Sequence, residues 1–463
     1  MAAARALIAV RWMAAAGVVA AVSAAASTTA WAAPPDKPPP AAQPAISPAP
    51  AAAMSKDATP KSPEVKAAPA PAKQPQAKLE RVTFADLPGW ERDDHLAAFK
   101  TFLKSCDAVS RAASKPPTNK AASQCKVPAG DLAAACRAAQ DIASPTEALA
   151  KVFFETQFVP HRIAQQKPQG LLTGYYEPVL EGSRTPQGKF QTPVYKRPTD
   201  LVNVVDEADR ASKPDGLTHV RKTSAGETPY PTRAEIEQGA LAGKGLELLY
   251  LEDPVEVFFM HIQGSAHIHL TDGTSVRINY DGKNGHPYTS IGRYLIDNKL
   301  LEANKVSMAA LGKWLRADKA RGQQVMWQNQ SFIFFRELGS DSEGPMGAMS
   351  VTLTPGRSLA VDTGYHTLGT PLYVSAPELG HATKNGGFNR LMVAQDVGSA
   401  IKGPERGDIY FGSGEKAGKL AGVTKHAGNF FVLLPTPAQS ADRGIRFGER
   451  LPWQTTVKGG DGL

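Results

Sequence analysis

Apolar residues first recur at helical spacing: Leu96, Phe99, Phe102 and Leu103 share one face and predict a helix over 93–110. Ser144-Pro145-Thr146-Glu147 has the form of a capping box with proline at the first helical position, predicting a helix to Phe158. Thr232-Arg233-Ala234-Glu235 is a second such box. After residue 246 the pattern turns strand-like. Strands are predicted over 248–251 and 255–262. A hairpin follows, in which His267-Ile268-His269-Leu270 and residues 275–280 flank an Asp272-Gly273 turn. Helices return over 290–298 and 308–316, and from 331 to about 434 short apolar runs alternate with glycine-rich turns. No internal repeat is visible. Many short strands with few intervening helices predict a mainly β protein with some α, and favour barrels over a doubly wound sheet.

The chain ends read differently. Arg5 and Arg11 accompany an Ala, Val and Gly run over 13–26, and Ala30-Trp31-Ala32 offers small residues for cleavage, so 1–32 reads as a secretory signal. No other segment is apolar enough to span a bilayer. Residues 33–83 are largely Pro, Ala and Lys and read as a disordered linker, because so little apolar surface cannot offset the entropy of ordering. Residues 436–463 read as a loose tail. The 463 residues include 52 Lys or Arg against 44 Asp or Glu, a net charge of +8. No basic block is interleaved with aromatics, which argues against nucleic acid as a partner. Cys106, Cys125 and Cys136 sit close together near the start of the folded region. In an oxidising compartment one pair bonds and one thiol is left over, and spacing does not select the pair.

Several chemistries are excluded by absence of motif. There is no His-Glu-x-x-His or Cys-x-x-Cys, so no zinc site is expected, nor any other metal or cofactor. Gly412-Ser413-Gly414-Glu415-Lys416-Ala417 loosely fits a dinucleotide fingerprint but no βαβ unit follows it. His267 and His269 share a strand face without a nearby carboxylate and read as surface or groove residues. Three aspartates stand out in the strand-rich final third. Asp362 follows Leu359-Ala360-Val361, Asp396 follows Val393-Ala394-Gln395, and Asp408 lies between Gly407 and Ile409-Tyr410. A carboxylate in an apolar run is costly unless hydrogen-bonded or kept neutral.

These aspartates belong to a longer set of motifs. Arg390-Leu391-Met392-Val393-Ala394-Gln395-Asp396, Ala400-Ile401-Lys402-Gly403 and Asp408-Ile409-Tyr410-Phe411-Gly412 lie downstream. Upstream stand Leu172-Thr173-Gly174-Tyr175-Tyr176-Glu177-Pro178, Phe190-Gln191-Thr192-Pro193-Val194-Tyr195 and His261-Ile262-Gln263-Gly264-Ser265. Between them come Tyr280-Asp281-Gly282-Lys283-Asn284-Gly285-His286-Pro287-Tyr288 and Asn329-Gln330-Ser331-Phe332-Ile333-Phe334-Phe335. In this order, over roughly 85–435, the chain resembles the membrane-bound lytic murein transglycosylase A family, whose last domain takes its name from three aspartates.

The resemblance implies a double-psi β-barrel domain built from two chain segments, an inserted second β-barrel-like domain, and N-terminal helices. The first barrel segment would span 84–190, the insert 191–338 and the second segment 339–435. The implied activity cleaves the β-1,4 bond between N-acetylmuramic acid and N-acetylglucosamine in peptidoglycan, leaving 1,6-anhydromuramic ends. Asp408 matches the family's catalytic acid, which then acts as base, so one carboxyl suffices where ordinary glycosidases use two. Asp396 and Asp362 match the other two aspartates. Burial beside Ile409 and Phe411, with the like charge of Asp396, is expected to raise the pKa of Asp408. Lys402 is expected to bind glycan or steady Asp396. Gly407 and Gly412 are read as letting sugar rings approach the backbone. Tyr175 and Tyr176 are candidate sugar platforms or core residues, and Gln263, Ser265, Lys283, Asn284 and Tyr288 are candidate groove residues.

The implied partners are peptidoglycan glycan strands and murein synthases, in the periplasm. Family members described as membrane-bound carry a lipid on a cysteine just after the signal. No cysteine lies near Ala32, so a soluble or loosely outer-membrane-associated protein is expected. Two rival readings keep the same groove: a water-using muramidase with an Asp396–Asp408 pair, and a non-catalytic expansin-like wall binder.

Overall fold

The computed structural model describes residues 77–114, 127, 129–164, 170–204, 217–339, 342–383 and 386–436. The signal, the linker to residue 76, Cys125 and residues from 437 onward lie outside the described residues. Ordered structure begins within the segment read as linker. Lys78–Arg81 form a strand, β1, that pairs antiparallel with β2 (Phe158–Ala164), with Leu79 opposite Ile163. One apolar side chain suffices there because the ladder hydrogen bonds come from the backbone, which composition does not report.

A layer of three helices covers one side of the first domain: α1 (His95–Ala113), α2 (Ala129–Gln140) and α3 (Glu147–Gln157). Asp94 caps α1 by accepting from the Ala97 amide at 2.9 Å. The cap of α3 is Thr146, not Ser144; its hydroxyl accepts from Leu149. Glu147 instead reaches across to α1 and accepts from the His95 and Leu96 amides, each at 2.8 Å. Phe99 and Phe102 of α1 meet Phe153, Phe154 and Phe158 with ring centroids 5.0–6.4 Å apart, mostly edge to face. No helix was predicted at α2, whose buried face is mostly alanine and gives little hydrophobic contrast. A disulfide between Cys106 and Cys136 ties α1 to α2. Closing a loop of 30 residues contributes about 3–4 kcal/mol in the chain-entropy account.

Behind this layer stands a barrel. Its strands are β3 (Gly170–Glu177), β13 (Ser358–Val361), β14 (Pro371–Ala376), β15 (Phe388–Val397), β16 (Arg406–Ser413) and β17 (Lys425–Pro435). They run in the order β17-β14-β15-β13-β16-β3, and β3 pairs back onto β17, so these six strands close into a ring, with β2 and β1 continuing outward from β17. The pairs β13–β15 and β16–β3 are parallel, the others antiparallel. One helix, α9 (Gly414–Val423), crosses between β16 and β17 and packs on β3. Leu172, Leu359, Leu372, Val374, Met392, Ala394, Ile409, Phe430 and Val432 fill the interior. This is a barrel made from two chain segments, as the sequence led us to expect.

The remaining strands form the inserted domain. They are β4 (Val179–Ser183), β5 (Thr192–Tyr195), β9 (Glu247–Leu251), β10 (Ser265–Leu270), β11 (Ser275–Lys283) and β12 (Ile333–Glu337), in the order β12-β11-β10-β4-β9-β5. A parallel bridge between Lys196 and Phe335 draws the two outer strands together. The insert sheet takes its first strand at Val179, ahead of the boundary expected at 191, because only Pro178 separates β3 from β4. A small sheet of β6 (Leu201–Asn203), β7 (His219–Thr223) and β8 (Gly226–Thr228) is appended to the insert chain.

The segment predicted as a strand over 255–262 is a helix instead. A short turn, α4 (Arg233–Glu235), opens at the predicted Thr232 box, and α5 (Pro254–Gln263) follows. Val257 and Met260 of α5 face the insert sheet, while Val255, Phe258 and Phe259 face α6 (Ile291–Asp297), α7 (Met308–Ala317) and α8 (Lys319–Met326). A helix buried on two sides shows no polar stripe, so its mostly apolar stretch over 255–262, broken only by Glu256 and His261, mimics a buried strand. The local signal that decides it is Asp253, which caps the Val255 amide, with Pro254 in the first turn and Gly264 left-handed at the end.

Candidate active site

Strand periodicity sets the site. Along β16, Gly407 and Ile409 point into the barrel, so Arg406, Asp408 and Tyr410 face outward towards the insert. Asp408 stands opposite Thr173 on β3 and opposite Ala360 on β13. It is half-buried on the wall of a cavity of about 300 Å³ whose other wall belongs to the insert.

Thr173 Oγ1 donates to Asp408 Oδ1 at 2.5 Å, and Arg406 Nη2 donates to Thr173 Oγ1 at 2.8 Å. Burial raises the pKa of Asp408 above the ordinary carboxylate value, and the Arg406 charge and the Thr173 hydrogen bond pull it partly back. The burial has a different source from the one expected. Ile409 and Phe411 lie on the opposite face in the barrel core, and the apolar surroundings of Asp408 are Tyr175, Tyr410, Ile401 and the cavity wall. The opposing cation is Arg406, not Lys402.

Asp396, on β15, is linked to the same site through Tyr175. The Tyr175 hydroxyl donates to Asp396 Oδ2 at 2.8 Å, and the Ala348 amide donates to Oδ1 at 3.0 Å. Burial pushes Asp396 up to about 6 against these bonds, and the Asp408 charge adds a smaller push. Tyr175 is buried, with its ring 5.4 Å from that of Tyr410, so it serves the core and Asp396 before any sugar. Asp362 is not on the cavity wall. Its oxygens accept from Gly364 at 3.0 Å and Gly403 at 2.8 Å, which pins the loop that brings Gly398, Ser399, Ala400 and Ile401 to the wall.

The other expected residues divide. Gln263 and Tyr288 line the cavity. Gln263 Oε1 is taken by the Tyr176 amide at 2.9 Å, and Tyr288 feels the Asp408 charge. Tyr176 lines a neighbouring cavity of about 390 Å³ that shares Met308 and Gly422 with the first. Lys402 is exposed and off both walls. Ser265 and Lys283 are buried away from them. Asn284 is fully buried, donating to the Pro231 and Gln330 carbonyls at 2.8 and 2.9 Å and accepting from the Phe332 amide at 2.9 Å, so it braces loops. Gly407 faces inward, where a Cβ would meet Leu359 and Phe430 at 2.9 Å, and Gly412 is left-handed (φ +108°) beside Pro355. Both glycines answer to packing and backbone, not to a sugar.

The sequence reading passed over Thr173, Arg406, Arg233, His261, Asn329 and Ser331, all on the cavity wall. Arg406 was findable: two residues from Asp408 on a strand is the same face. Arg233 sat inside the recognised capping box. It is fully buried, donates to the Asn329 and Ser331 carbonyls (3.1 and 2.7 Å), Glu237 (3.1 Å) and His261 Nδ1 (3.0 Å), and stacks on Phe258 and Phe332. Since a guanidinium only donates, His261 Nδ1 must accept, and burial plus the Arg233 charge holds this histidine neutral, well below its ordinary pKa.

This geometry has counterparts. The MltA specific insert domain matches residues 171–336 and the 3D domain matches residues 357–434, which include all three aspartates. The membrane-bound lytic murein transglycosylase A of Vibrio cholerae is 36% identical over 267 residues, 57% of this chain. The match spans 65% of that relative's length, just under two thirds. The crystal structure of a membrane-bound lytic murein transglycosylase from Agrobacterium tumefaciens is 38% identical, with a TM-score of 0.70 over 79% of this chain and 99% of that one. The structure of Escherichia coli MltA with bound chitohexaose is 28% identical, with a TM-score of 0.54 over 79% of this chain and 94% of that one. Among the described residues no helix is long and apolar enough to cross a membrane.

Proposed function

The chain belongs to the membrane-bound lytic murein transglycosylase A family, and from that premise we propose that it cleaves peptidoglycan glycan strands without water. The bond cut is the β-1,4 link from N-acetylmuramic acid to N-acetylglucosamine, and the product carries a 1,6-anhydromuramic end. The strand lies in the cleft between barrel and insert; the chitohexaose bound to the Escherichia coli relative supports a glycan as the ligand. The setting is the periplasm.

One observation carries the reading. Asp408 is a half-buried carboxyl on the cleft wall whose burial favours the protonated form, with one oxygen held by Thr173. Protonated, it donates to the departing glycosidic oxygen. As a carboxylate it takes the proton from the muramoyl C6 hydroxyl, whose oxygen closes the ring on C1. Arg406 and Thr173 stabilise the charge that exists between the two steps. Tyr175, Ala348 and Val397 occupy Asp396, which lies off the cavity wall, so a second carboxyl to activate water has no support. Asp396 and Tyr175 keep the wall in shape, and Asp362 holds the adjoining loop.

The test is mass spectrometry of muropeptides released from purified sacculi by the wild type and by Asp408→Asn. The variant is expected to release anhydromuramic products about a thousandfold more slowly. Wild-type release by Asp408→Asn would reject the assignment, and hydrated reducing ends from the wild type would turn the reading to a muramidase.

A further inference from the structure

We propose that Arg406 and Thr173 form a positioning pair that fixes which oxygen of Asp408 carries the catalytic proton. This rests on the reading of Asp408 as acid and base. A guanidinium donates and never accepts, so the 2.8 Å contact must run from Arg406 Nη2 into the Thr173 hydroxyl oxygen. That hydroxyl has one proton, and the acceptor it meets is Asp408 Oδ1 at 2.5 Å. With Oδ1 the one acceptor this proton meets, donation to Oδ1 is the arrangement that leaves no hydroxyl proton unpaired, and it keeps Oδ1 an acceptor in both protonation states. The proton of the neutral acid sits on Oδ2, which has no protein partner among the described residues.

The strands build this direction in. Thr173 and Asp408 are register partners across the parallel β3–β16 pair, and Arg406 precedes Asp408 by two residues on the same face. Arg406 Nη1 is anchored on the Gly407 carbonyl at 2.5 Å, so the guanidinium is not free to swing into the cleft. In the cycle, the Oδ2–H bond breaks as its proton goes to the glycosidic oxygen, which leaves C1 with its electron pair. The C6 oxygen then bonds C1 while its proton returns to Oδ2. Thr173 keeps its own proton throughout.

The other polar groups around Asp408 do not compete for this role. Tyr175 on β3 is committed to Asp396, Tyr410 on β16 meets Ser413, and Tyr288 comes from the insert. Helix α9 offers only Ala421 and Gly422 to the cavity, and β13 presents Ala360 opposite Asp408. Arg406 is the cation that acts on the carboxyl.

The experiment compares Thr173→Val, Thr173→Ser, Arg406→Gln and Asp408→Asn in the full chain, measuring kcat and KM across pH for anhydro-product release from a soluble glycan fragment. Thr173→Val is expected to lower kcat about tenfold to a hundredfold, the cost of a misdirected proton donor, with KM within about twofold. It should also move the basic limb of the kcat/KM profile to higher pH. Thr173→Ser should restore both, and Arg406→Gln should move the same limb upward. Wild-type kcat and limb in Thr173→Val, no rescue by serine, or an unmoved limb in Arg406→Gln would each overturn the pair while leaving Asp408 as the acid. Wild-type turnover by Asp408→Asn would instead overturn the parent reading, and the pair with it.

Discussion

On the barrel side of the cleft, Asp408 on the wall and Asp396 behind it are carboxyls that burial lifts towards neutrality. On the insert wall, Arg233 keeps a charge that four hydrogen bonds and two aromatic rings hold in place, and His261 is locked as a neutral ring. Burial pushes the carboxyl of one wall towards its neutral form, while the guanidinium of the other stays charged and its imidazole stays neutral. In the proposed reading, the difference shows how a single cleft would separate chemistry from grip. Placing the labile proton in the closed barrel isolates it from any adjustment of the insert around its ligand.

The largest break in this comparison comes from Asp408→Asn, with its thousandfold loss on the barrel side alone. In the wild type the acid must be protonated, so kcat/KM is expected to fall as pH rises through the raised pKa of Asp408, and binding of a chitooligosaccharide to change little over the same range. Calorimetric titration across pH separates the two. Next is Arg233→Met on the insert side. It strips the donor from His261, Glu237 and two carbonyls, at a cost of about 3 kcal/mol in urea unfolding. The variant should weaken glycan binding yet keep the wild-type basic limb; a shifted limb would merge the walls.

Tyr175→Phe sharpens the contrast within the barrel. Losing the donor at 2.8 Å from Asp396 should cost about 1.5 kcal/mol and raise Asp396 further above about 6, read by carboxyl carbon NMR, with kcat down less than tenfold. The smallest effect concerns Glu405, buried at the foot of β16 and pushed up to about 7 by burial against its bond from the Phe430 amide. Its folded pKa lies above the ordinary 4.5, so protonation favours the folded state. That contribution is complete below the ordinary value and is lost as pH rises towards 7. Glu405→Gln should flatten the decline of Tm over this window and gain about 1 kcal/mol above it.

Elements whose cause is local were legible. The Asp272-Gly273 hairpin formed as predicted, with Gly273 left-handed at φ +84°, and the helix predicted over 290–298 is α6, capped by Ser290. Where the cause is tertiary, reading failed. Helix α5 hid because it is buried on two sides, and α2 because alanine marks a face weakly. The same division runs through the site. Asp408 and Asp396 were visible as acids in apolar strands, and they do come near enough for the charge of Asp408 to act on Asp396, with Tyr175 bonded to Asp396. Asn284 and Lys283 have the side chains of binding residues, and only burial reveals that they serve the fold. Arg406 was hidden by attention to Lys402, although strand geometry favours a neighbour at two residues over one at six.

Closure of the barrel also has a cost in time. Thr173 and Asp408 touch across a sequence separation of 235 residues, while β4 to β12 of the insert complete their sheet within 179–337. In the chain, β3 lies far ahead of both its neighbours, β16 and β17. The insert sheet closes on nearby sequence, whereas both ladders of β3 depend on the last two strands, so barrel closure is the high-contact-order, slower step of folding.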